Sequence, residues 1–392
     1  MLLLSLVTPC AARAQSPFAE PSVELHGFAS QGFVYTTDNQ FLVRSKGGSF
    51  EFAEVGLNFT VLPSDKLRVG IQLFAQDRGP FGNYRPTIDW FYLDYRFFDW
   101  LGLRAGRTKV PSGLYNETRD IDAARAPILL PQALYPLQDR EILLAQTGVD
   151  AYGHIRIGPL GAIDYNAFLG TISYEPPWPQ PELEHSVPYT MGARVQWFTP
   201  LDGLLLAFTA ARLRVDQTAT LSPAEIETLK AAGVVPPNFT SPLRVRYPIS
   251  AWTASIEYSA NDVLLAAEYS QARTGLESPG TDFATLVPEP VRARYYYVMG
   301  SYRVAPWFTP GAYYSFSHPN VERKGRTDAT LHDVAVFVRY DLTANWLFKL
   351  EAHHMTGTAT LDFRLNGLAR EDDLRNLTRV WGAFLAKTTA HF

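Results

Sequence analysis

Two-residue alternation of apolar and polar side chains is the feature of this sequence that most constrains its fold. It is clearest in residues 51–61 and 66–76, where apolar residues share one face and polar residues, including Lys66 and Arg68, share the other. Successive side chains of a strand point to opposite faces of its sheet. A strand with two charges on its polar face therefore needs water there. Pro63-Ser64-Asp65 joins the two segments as a tight hairpin turn.

The alternating segment recurs along the chain, with short turns and long polar connections between successive copies. The segments are residues 24–36, 51–61, 66–76, 89–97, 102–110, 148–157, 162–171, 191–198, 204–212, 249–258, 263–271, 295–304, 309–316, 334–340, 346–354 and 380–392. Strands of about 9–11 residues in an even number are typical of bacterial outer-membrane barrels. The sequence predicts an all-β fold, a 16-stranded antiparallel transmembrane β-barrel with seven short periplasmic turns and eight long external loops.

The N-terminus and the composition indicate an exported protein. Residues 1–14 form a short apolar run that ends in Ala12-Arg13-Ala14, a pattern typical of a signal peptide, and contain the only cysteine, Cys10. We expect residues 15–392 to form a single barrel domain, because no linker divides them and no 18 apolar residues run together after residue 14. A net charge of -4 gives no reason to expect a nucleic-acid partner.

Aromatic residues gather beside the short turns, as in the interfacial girdle of a membrane barrel. They are Phe97, Phe98, Trp100, Trp197, Phe198, Trp307, Phe308 and Trp346. The chain ends on Phe392, with Phe384, Ala386, Thr388 and Ala390 in the same phase. This ending is similar to the C-terminal aromatic signal through which the barrel-assembly machinery recognises outer-membrane barrels.

Residues 111–141 lack any regular period and contain charged residues spaced among apolar ones. Such long loops are uncommon in compact proteins and usually functional. We interpret this one as the third external loop folded into the lumen, where it narrows the pore. The alternative is an ordinary surface excursion. The candidate constriction residues are Arg119, Asp120, Asp122, Arg125 and Arg140.

Charged residues in the polar phase of the strands predict a lumen wall that faces water. The candidates are Lys66, Arg68, Arg96, Arg104, Arg156, Arg194 and Arg339, with Glu54 and Asp94 among the acids. Basic and acidic residues nearly balance in the full set. Wall arginines facing acids of the loop would create a field across the opening; the alternative is that these charges only wet the lumen.

Other chemistry has weaker support in the sequence. Glu351, His353 and His354 resemble a metal cluster, but the adjacent histidines point to opposite faces, so no metal or other cofactor is predicted. Tyr295, Tyr296 and Tyr297 suit a rim girdle better than a sugar-binding track. Ser222, Pro223 and Glu225 predict the start of a loop helix that caps the mouth or binds a ligand.

The motifs at 106–120 (GRTKVPSGLYNETRD), 124–136 (ARAPILLPQALYP), 148–153 (GVDAYG) and 24–33 (ELHGFASQGF) resemble proteobacterial outer-membrane porins related to the phosphate-selective porin O/P and DcaP-like families. The resemblance implies a homotrimeric, water-filled channel with Arg119, Asp120 and Arg125 at its constriction. Phosphate-selective members carry lysine-rich mouths, whereas this chain has seven unclustered lysines. The resemblance therefore implies no particular solute.

These observations predict a porin of the Gram-negative outer membrane, in contact with membrane lipid and lipopolysaccharide. It would pass small hydrophilic solutes by diffusion, with a slight preference for small polar anions because arginine dominates the basic set. Two alternatives stay open: a receptor or adhesin barrel without an open pore, and a barrel-embedded hydrolase with a serine and a histidine on one lumen wall.

Overall fold

The strands form one antiparallel sheet that closes on itself in a computed structural model, which describes residues 22–173, 178, 182–278 and 290–392. Each strand pairs with its sequence neighbours, and the first pairs with the last, so that Phe28 lies opposite His391. Closure leaves no unpaired sheet edge. Within these ranges, no helix has the length and apolar character needed to span a membrane.

The number and order of the strands confirm the predicted 16-stranded barrel. The strands are β1 (Ser22–Thr36), β2 (Ala53–Ser64), β3 (Leu67–Asp77), β4 (Thr87–Phe98), β5 (Leu101–Lys109), β6 (Ala145–Arg156), β7 (Ala162–Ile172), β8 (Leu183–Phe198), β9 (Leu204–Ala219), β10 (Leu243–Ala260), β11 (Val263–Thr274), β12 (Val291–Tyr302), β13 (Phe308–His318), β14 (Leu331–Thr343), β15 (Trp346–Gly357) and β16 (Val380–His391). Short turns lie at one end of the barrel, here the turn side, and long connections at the other, here the loop side.

Alternation along the strands separates an apolar outer face from a polar inner one. On β2, Val55 and Phe59 are exposed outward, while Glu54 and Thr60 are buried inside the barrel. Large apolar residues also face outward on β4, β11 and β14, among them Leu93, Leu265 and Val336. An apolar belt around a polar interior is the arrangement expected of a barrel in a lipid bilayer.

Strands β8, β9 and β10 extend further to the loop side than the sequence predicts. Leu183 pairs with Ala219, and Ala219 also pairs with Leu243, well beyond the predicted limits at 191, 212 and 249. The prediction ended each strand where its apolar alternation ended. Backbone pairing continues past that point because hydrogen bonds between strands need no apolar side chain.

The predicted aromatic girdle lies on the outer surface of the turn side. Phe98 and Trp100 are exposed and stack with their ring centroids 5.4 Å apart. Trp197, Trp307 and Trp346 are also exposed. At the C-terminus, Phe384 and Phe392 both face outward, in the phase that the sequence predicts.

Tyr295, Tyr296 and Tyr297 do not form one girdle. Tyr296 packs among outward rings, 4.9 Å from Phe316 between centroids, whereas Tyr297 points inward and is buried. The interpretation as a rim girdle was therefore wrong for Tyr297. Neighbouring residues of a strand face opposite sides of the sheet, so three successive tyrosines cannot share one surface.

In the part of the chain that the structure describes, two helices lie outside the strands: α1 (Arg140–Leu144), at the end of the loop between β5 and β6, and α2 (Pro223–Ala231), in the loop between β9 and β10. The predicted cap of α2 is confirmed, because Ser222 and Glu225 form a capping box. Short 3₁₀ turns occur at Asp122–Ala124, Gly158–Leu160 and Glu371–Asn376. The predicted signal peptide lies outside the described residues.

Candidate functional site

The connection between β5 and β6, residues 110–144, is folded into the lumen and crosses it. Ile128 and Leu129 at its centre are 0% and 1% exposed. Their backbone N–H groups donate to Oε2 of Glu351 on β15, at 2.5 and 3.2 Å. This is the third long connection of the chain, so its place in the lumen agrees with the prediction for residues 111–141. We call it the crossing loop.

Apolar packing holds the crossing loop against the β12–β14 side of the wall. Leu130 and Tyr135 of the loop form a buried cluster with Tyr297, Tyr313 and Phe337 of the wall. These three wall rings are each 3% exposed or less. Burying them against the loop removes their apolar surface from the water inside the barrel.

A buried charge cluster joins the crossing loop to β15 and β16. Nζ of Lys349 lies 3.1 Å from Oδ1 of Asp122 and donates to three loop carbonyls, of Asp122, Arg125 and Pro127, at 2.7–3.2 Å. Lys387 on β16 lies 3.5 Å from Asp122 and 2.6 Å from Glu54. Burial alone would raise the pKa of Asp122, but the charges of Lys349, Lys387 and Arg125 hold it below the ordinary value.

A second set of polar contacts joins the loop to β3, β4 and β5. Asp120 accepts from Lys109 at 2.5 Å and from Gln72 at 2.7 Å. Arg140 forms a two-pronged pair with Asp89, at 2.8 and 2.7 Å. A buried bidentate pair of this kind fixes orientation as well as distance.

Glu268 on β11 anchors the opposite side of the loop. Its carboxylate accepts from the Leu114 backbone N–H at 2.9 Å, the Ser255 hydroxyl at 2.6 Å and the Tyr297 hydroxyl at 2.8 Å, and also from Tyr135. Four donors around one buried carboxylate satisfy its lone pairs. The loop is therefore tied to the wall on both sides of the lumen.

The five candidate constriction residues all lie inside the lumen, but most of their charged groups pair with or hydrogen-bond to other groups of the protein. Arg119, Asp120, Asp122 and Arg140 are each 6% exposed or less. Arg119 donates to the carbonyls of Tyr135 and Pro136, and burial lowers its pKa to about 9. Arg125 is partly exposed and lies 3.4 Å from Asp122.

The predicted wall residues divide into two groups. Five of them are engaged with other protein groups. Glu54 accepts from Lys387, and Asp94 accepts from Arg104 and Tyr152. Arg194 donates to Glu117, and Arg339 donates to the carbonyls of Ala123 and Arg125. Arg68, Arg96 and Arg156 are exposed on the turn side of the loop, and Lys66 is exposed at a turn. Among the predicted wall arginines, the exposed ones are those that a solute in the lumen would meet.

Part of the open space beside the crossing loop is an arginine-lined region on the turn side, here the vestibule. One cavity of about 480 Å³ contains Arg68, Tyr92 and Arg104 in its lining, and a second of about 400 Å³ contains Arg96, Arg104 and Arg156. Arg104 and Glu117 line both cavities. The two cavities therefore adjoin beneath the loop.

Arginines and tyrosines alternate along the vestibule wall. The guanidinium carbon of Arg104 lies 4.3 Å from the ring centroid of Tyr152 and 5.8 Å from that of Tyr92, and Arg68 lies 5.9 Å from the same Tyr92 ring. Asp94 accepts from Arg104 at 3.3 Å and from the Tyr152 hydroxyl at 2.6 Å. Cation–π contacts of this kind hold the guanidinium groups in place without neutralising them.

Two further cavities flank the loop. A cavity of about 650 Å³ on the loop side includes Arg78, Arg107, Asp139 and Arg140 in its lining. Burial raises the pKa of Asp139 in this region. Another of about 590 Å³ lies on the turn side against β10–β14, with Arg303 and Arg339 among its residues.

The histidine cluster on β14 and β15 is an internal charge pair. His353 Nδ1 lies 2.9 Å from Asp333 and its Nε2 lies 3.0 Å from Glu351, while His354 faces outward. Both ring nitrogens thus face carboxylates, not a serine hydroxyl. In the part of the chain that the structure describes, no group of three or more His, Cys, Asp or Glu residues could hold a metal ion.

Several residues that build the site were not selected from the sequence. Lys387 occupies the inward phase of β16, so the alternation rule was sufficient to find it. Tyr92 and Tyr152 also follow the inward phase of their strands. Tyr135 and Lys109 carry no such signal, because their contacts arise only from the path of the crossing loop.

The comparisons place the chain among outer-membrane barrels of known structure. OmpT of Vibrio cholerae superposes with a TM-score of 0.60 and 11% identity, over 95% of this chain and 98% of that one. An anion-selective porin from Comamonas acidovorans gives 0.58 and 12%, over 95% and 100%. The outer-membrane channel DcaP of Acinetobacter baumannii gives 0.51 and 10%, over 95% and 97%.

No protein-family model matches the sequence, and no curated protein matches it either. The structural likeness therefore establishes the fold. It includes the DcaP channel that the sequence motifs resemble, whereas the relation to phosphate-selective porins O and P stays a prediction.

Proposed function

We propose that this protein is an outer-membrane porin that passes small hydrophilic solutes by passive diffusion, with a slight preference for anions. The observation that carries the proposal is the vestibule: Arg68, Arg96 and Arg156 are exposed to open space inside a barrel whose outer face is apolar. The likeness to outer-membrane channels and to a porin described as anion-selective supports the same reading.

In this proposal the crossing loop sets the narrowest point of the path. Its buried pairs, Asp122 with Lys349 and Arg140 with Asp89, hold it in the lumen. A loop held this firmly gives a fixed aperture, so selection depends on the exposed charges beside it, Arg68, Arg96 and Arg156. Arg119, Asp120, Asp122 and Arg140 thus act through the position of the loop.

The first test is conductance in planar bilayers. Purified protein should insert and give stepwise current increases of uniform size in KCl. Liposome swelling should then be faster with small sugars than with large ones, since passage depends on size. Under a KCl gradient, the reversal potential should show a modest preference for chloride. A preference for potassium would contradict the anion part of the proposal and leave the channel part intact.

One observation favours a second candidate, a receptor-type barrel without an open pore. The crossing loop contacts the wall from β3 to β16, and the loop-side and turn-side cavities have no lining residue in common. A protein that inserts into bilayers, shown by protection from protease, but never gives current steps would support this candidate.

The homotrimer that the sequence resemblance implies is also part of the proposal, as is export through residues 1–14. Native mass spectrometry of the detergent-purified protein should give three times the protomer mass. N-terminal sequencing of protein isolated from membranes should start at residue 15. These two results are independent of the conductance experiments.

A further inference from the structure

Five arginines gather on the outer face of the barrel, in the middle of β9 and at the loop-side ends of β11 and β12. Arg273 lies directly opposite Arg292, and Ser250 of the intervening strand lies opposite both Arg212 and Arg273. Arg212, Arg273 and Arg292 therefore occupy one row across the sheet. Arg214 and Arg294 lie two residues from that row. We call these five residues the arginine patch.

The side chains of the patch point away from the lumen. They share the strand phase of Phe208, Trp252 and Val298, which are 50%, 36% and 59% exposed on the apolar outer face. Arg212, Arg273, Arg292 and Arg294 are exposed, and Arg214 is partly exposed. These charges therefore do not line the lumen.

An aromatic platform lies immediately on the turn side of the patch. Trp252 pairs with Ala210 and Gln271, and it lies two residues along β10 from Ser250, the residue of that strand in the row of arginines. Its ring centroid lies 6.1 Å from that of Phe208 and 5.4 Å from that of Tyr269. Aromatic residues in this position mark the boundary between the apolar core of a membrane and its headgroups.

The position of the patch fits the headgroup layer of the outer leaflet. On β12, eight residues separate Arg294 from Tyr302 at the turn-side end of the strand. At about 3.3 Å per residue and a tilt of about 40°, they span roughly 20 Å along the membrane normal. A guanidinium on a long side chain therefore reaches the edge of an apolar band about 25 Å tall.

The patch carries more positive charge than the described residues neutralise. Arg214 pairs with Asp216 at 2.7 Å, and Arg292 pairs with Glu322 at 2.5 Å. Within the described ranges, Arg212, Arg273 and Arg294 have no ion pair with a carboxylate. Like charges directly opposite each other destabilise a sheet. Arg273 lies opposite Arg292 and has no carboxylate partner of its own among the described residues, so it favours a further anion.

We propose that the arginine patch binds the phosphorylated headgroup of lipopolysaccharide, with its acyl chains against Phe208, Trp252 and Tyr269. Guanidinium groups bind phosphate oxygens in a bidentate geometry. A lipid with two phosphates offers more of these contacts than a lipid with a single charge. The combination of a row of guanidiniums with rings beneath fits a lipid that bears both phosphates and several chains. The inference rests on the outer-membrane location in the proposed function, but not on an open pore.

The test is binding of purified lipid A to the detergent-solubilised protein, measured by native mass spectrometry. The ligands are lipid A with both phosphates, the same lipid after phosphatase treatment, and phosphatidylglycerol. The patch variant is Arg212→Gln, Arg273→Gln, Arg294→Gln. The control variant is Arg68→Gln, Arg96→Gln, Arg156→Gln, which removes the same charge from the lumen.

The wild type and the control variant should bind bisphosphorylated lipid A at least about tenfold more tightly than the dephosphorylated lipid, and the patch variant should lose that difference. Equal binding of the two lipids, equal loss in both variants, or tighter binding of phosphatidylglycerol would each overturn the proposal. If the triple variant does not fold, Arg273→Gln alone against Arg156→Gln alone gives the same comparison.

Conductance separates this inference from the proposed function. The patch variant should retain the current steps of the wild type, because its arginines face outward. If the wild type binds bisphosphorylated lipid A selectively but gives no current, the lipid-binding proposal for the patch is supported and the porin function is refuted. If the protein conducts but shows no phosphate-dependent lipid binding, the porin function is supported and the lipid-binding proposal is refuted.

Discussion

Nζ of Lys349 on β15 lies 3.1 Å from Oδ1 of Asp122 on the crossing loop, and both side chains are withdrawn from solvent. The same lysine donates to three loop carbonyls, and Lys387 supports the carboxylate from the next strand. Removing one partner of such a pair leaves the other as an uncompensated buried charge. The position of the loop therefore depends on this contact.

Asp122→Asn should weaken the docking of the crossing loop by about 3–5 kcal/mol, because Lys349 loses its carboxylate. Trypsin should then cut the loop at Arg119 or Arg125 faster than in the wild type. Glu227→Gln is the matched control, since Glu227 pairs only with Lys230 on the exposed helix α2. Unchanged cleavage in Asp122→Asn would show that the loop is held by other contacts.

Glu268→Gln should loosen the other side of the loop by about 1–3 kcal/mol, because an amide cannot accept from all four donors around that carboxylate. In bilayers, the open-channel current should become noisier as the loop fluctuates. Tyr297→Phe removes only one of the four donors and should have a smaller effect. Equal noise in the two variants would argue against Glu268 as an anchor.

Arg68→Gln combined with Arg156→Gln should lower the anion preference. Exposed charges in water interact by about 1 kcal/mol or less, so the chloride-to-potassium permeability ratio should fall by about twofold. Reversal potentials under a KCl gradient measure this ratio. Lys230→Gln removes a charge outside the vestibule and should leave the ratio unchanged. A fall of the same size in Lys230→Gln would mean that net charge, not the vestibule, sets selectivity.

The docked loop should withstand mild acid. Although burial opposes ionisation of Asp122, its lysine neighbours lower its pKa in the folded protein. Its contribution to stability is thus present above the ordinary aspartate pKa of about 3.9 and is lost only as the pH falls through the lower folded value. The noise of the open-channel current should therefore stay constant between pH 7 and about 4, and increase below that range.

Asp139 provides the comparison within the same loop. Burial raises its pKa, so it takes up a proton at a higher pH than an exposed aspartate. Any shift toward anion preference on mild acidification should disappear in Asp139→Asn. If the shift persists in that variant, another group in the loop-side cavity is responsible.

The barrel could be predicted from local sequence pattern. Alternation at residues 51–61 and 66–76, repeated along the chain, specifies strands with one apolar and one polar face, and this local pattern is readable without knowing which strands pair. The same rule identified Arg68, Arg104 and Glu54 as inward. The rule predicted the end of β9 at residue 212 instead of 219. Strand pairing continues beyond the apolar alternation, because polar pairs such as Arg212 and Ser250 also form the backbone hydrogen bonds of the sheet.

The roles of the charged residues follow from contacts that the fold creates. Asp120 and Asp122 are two residues apart, yet Asp120 meets Lys109 and Gln72 while Asp122 meets Lys349 and Lys387. Those partners are more than 200 residues away from Asp122 in the chain. The path of a loop through a lumen is set by contacts between distant residues, for which local periodicity carries no information.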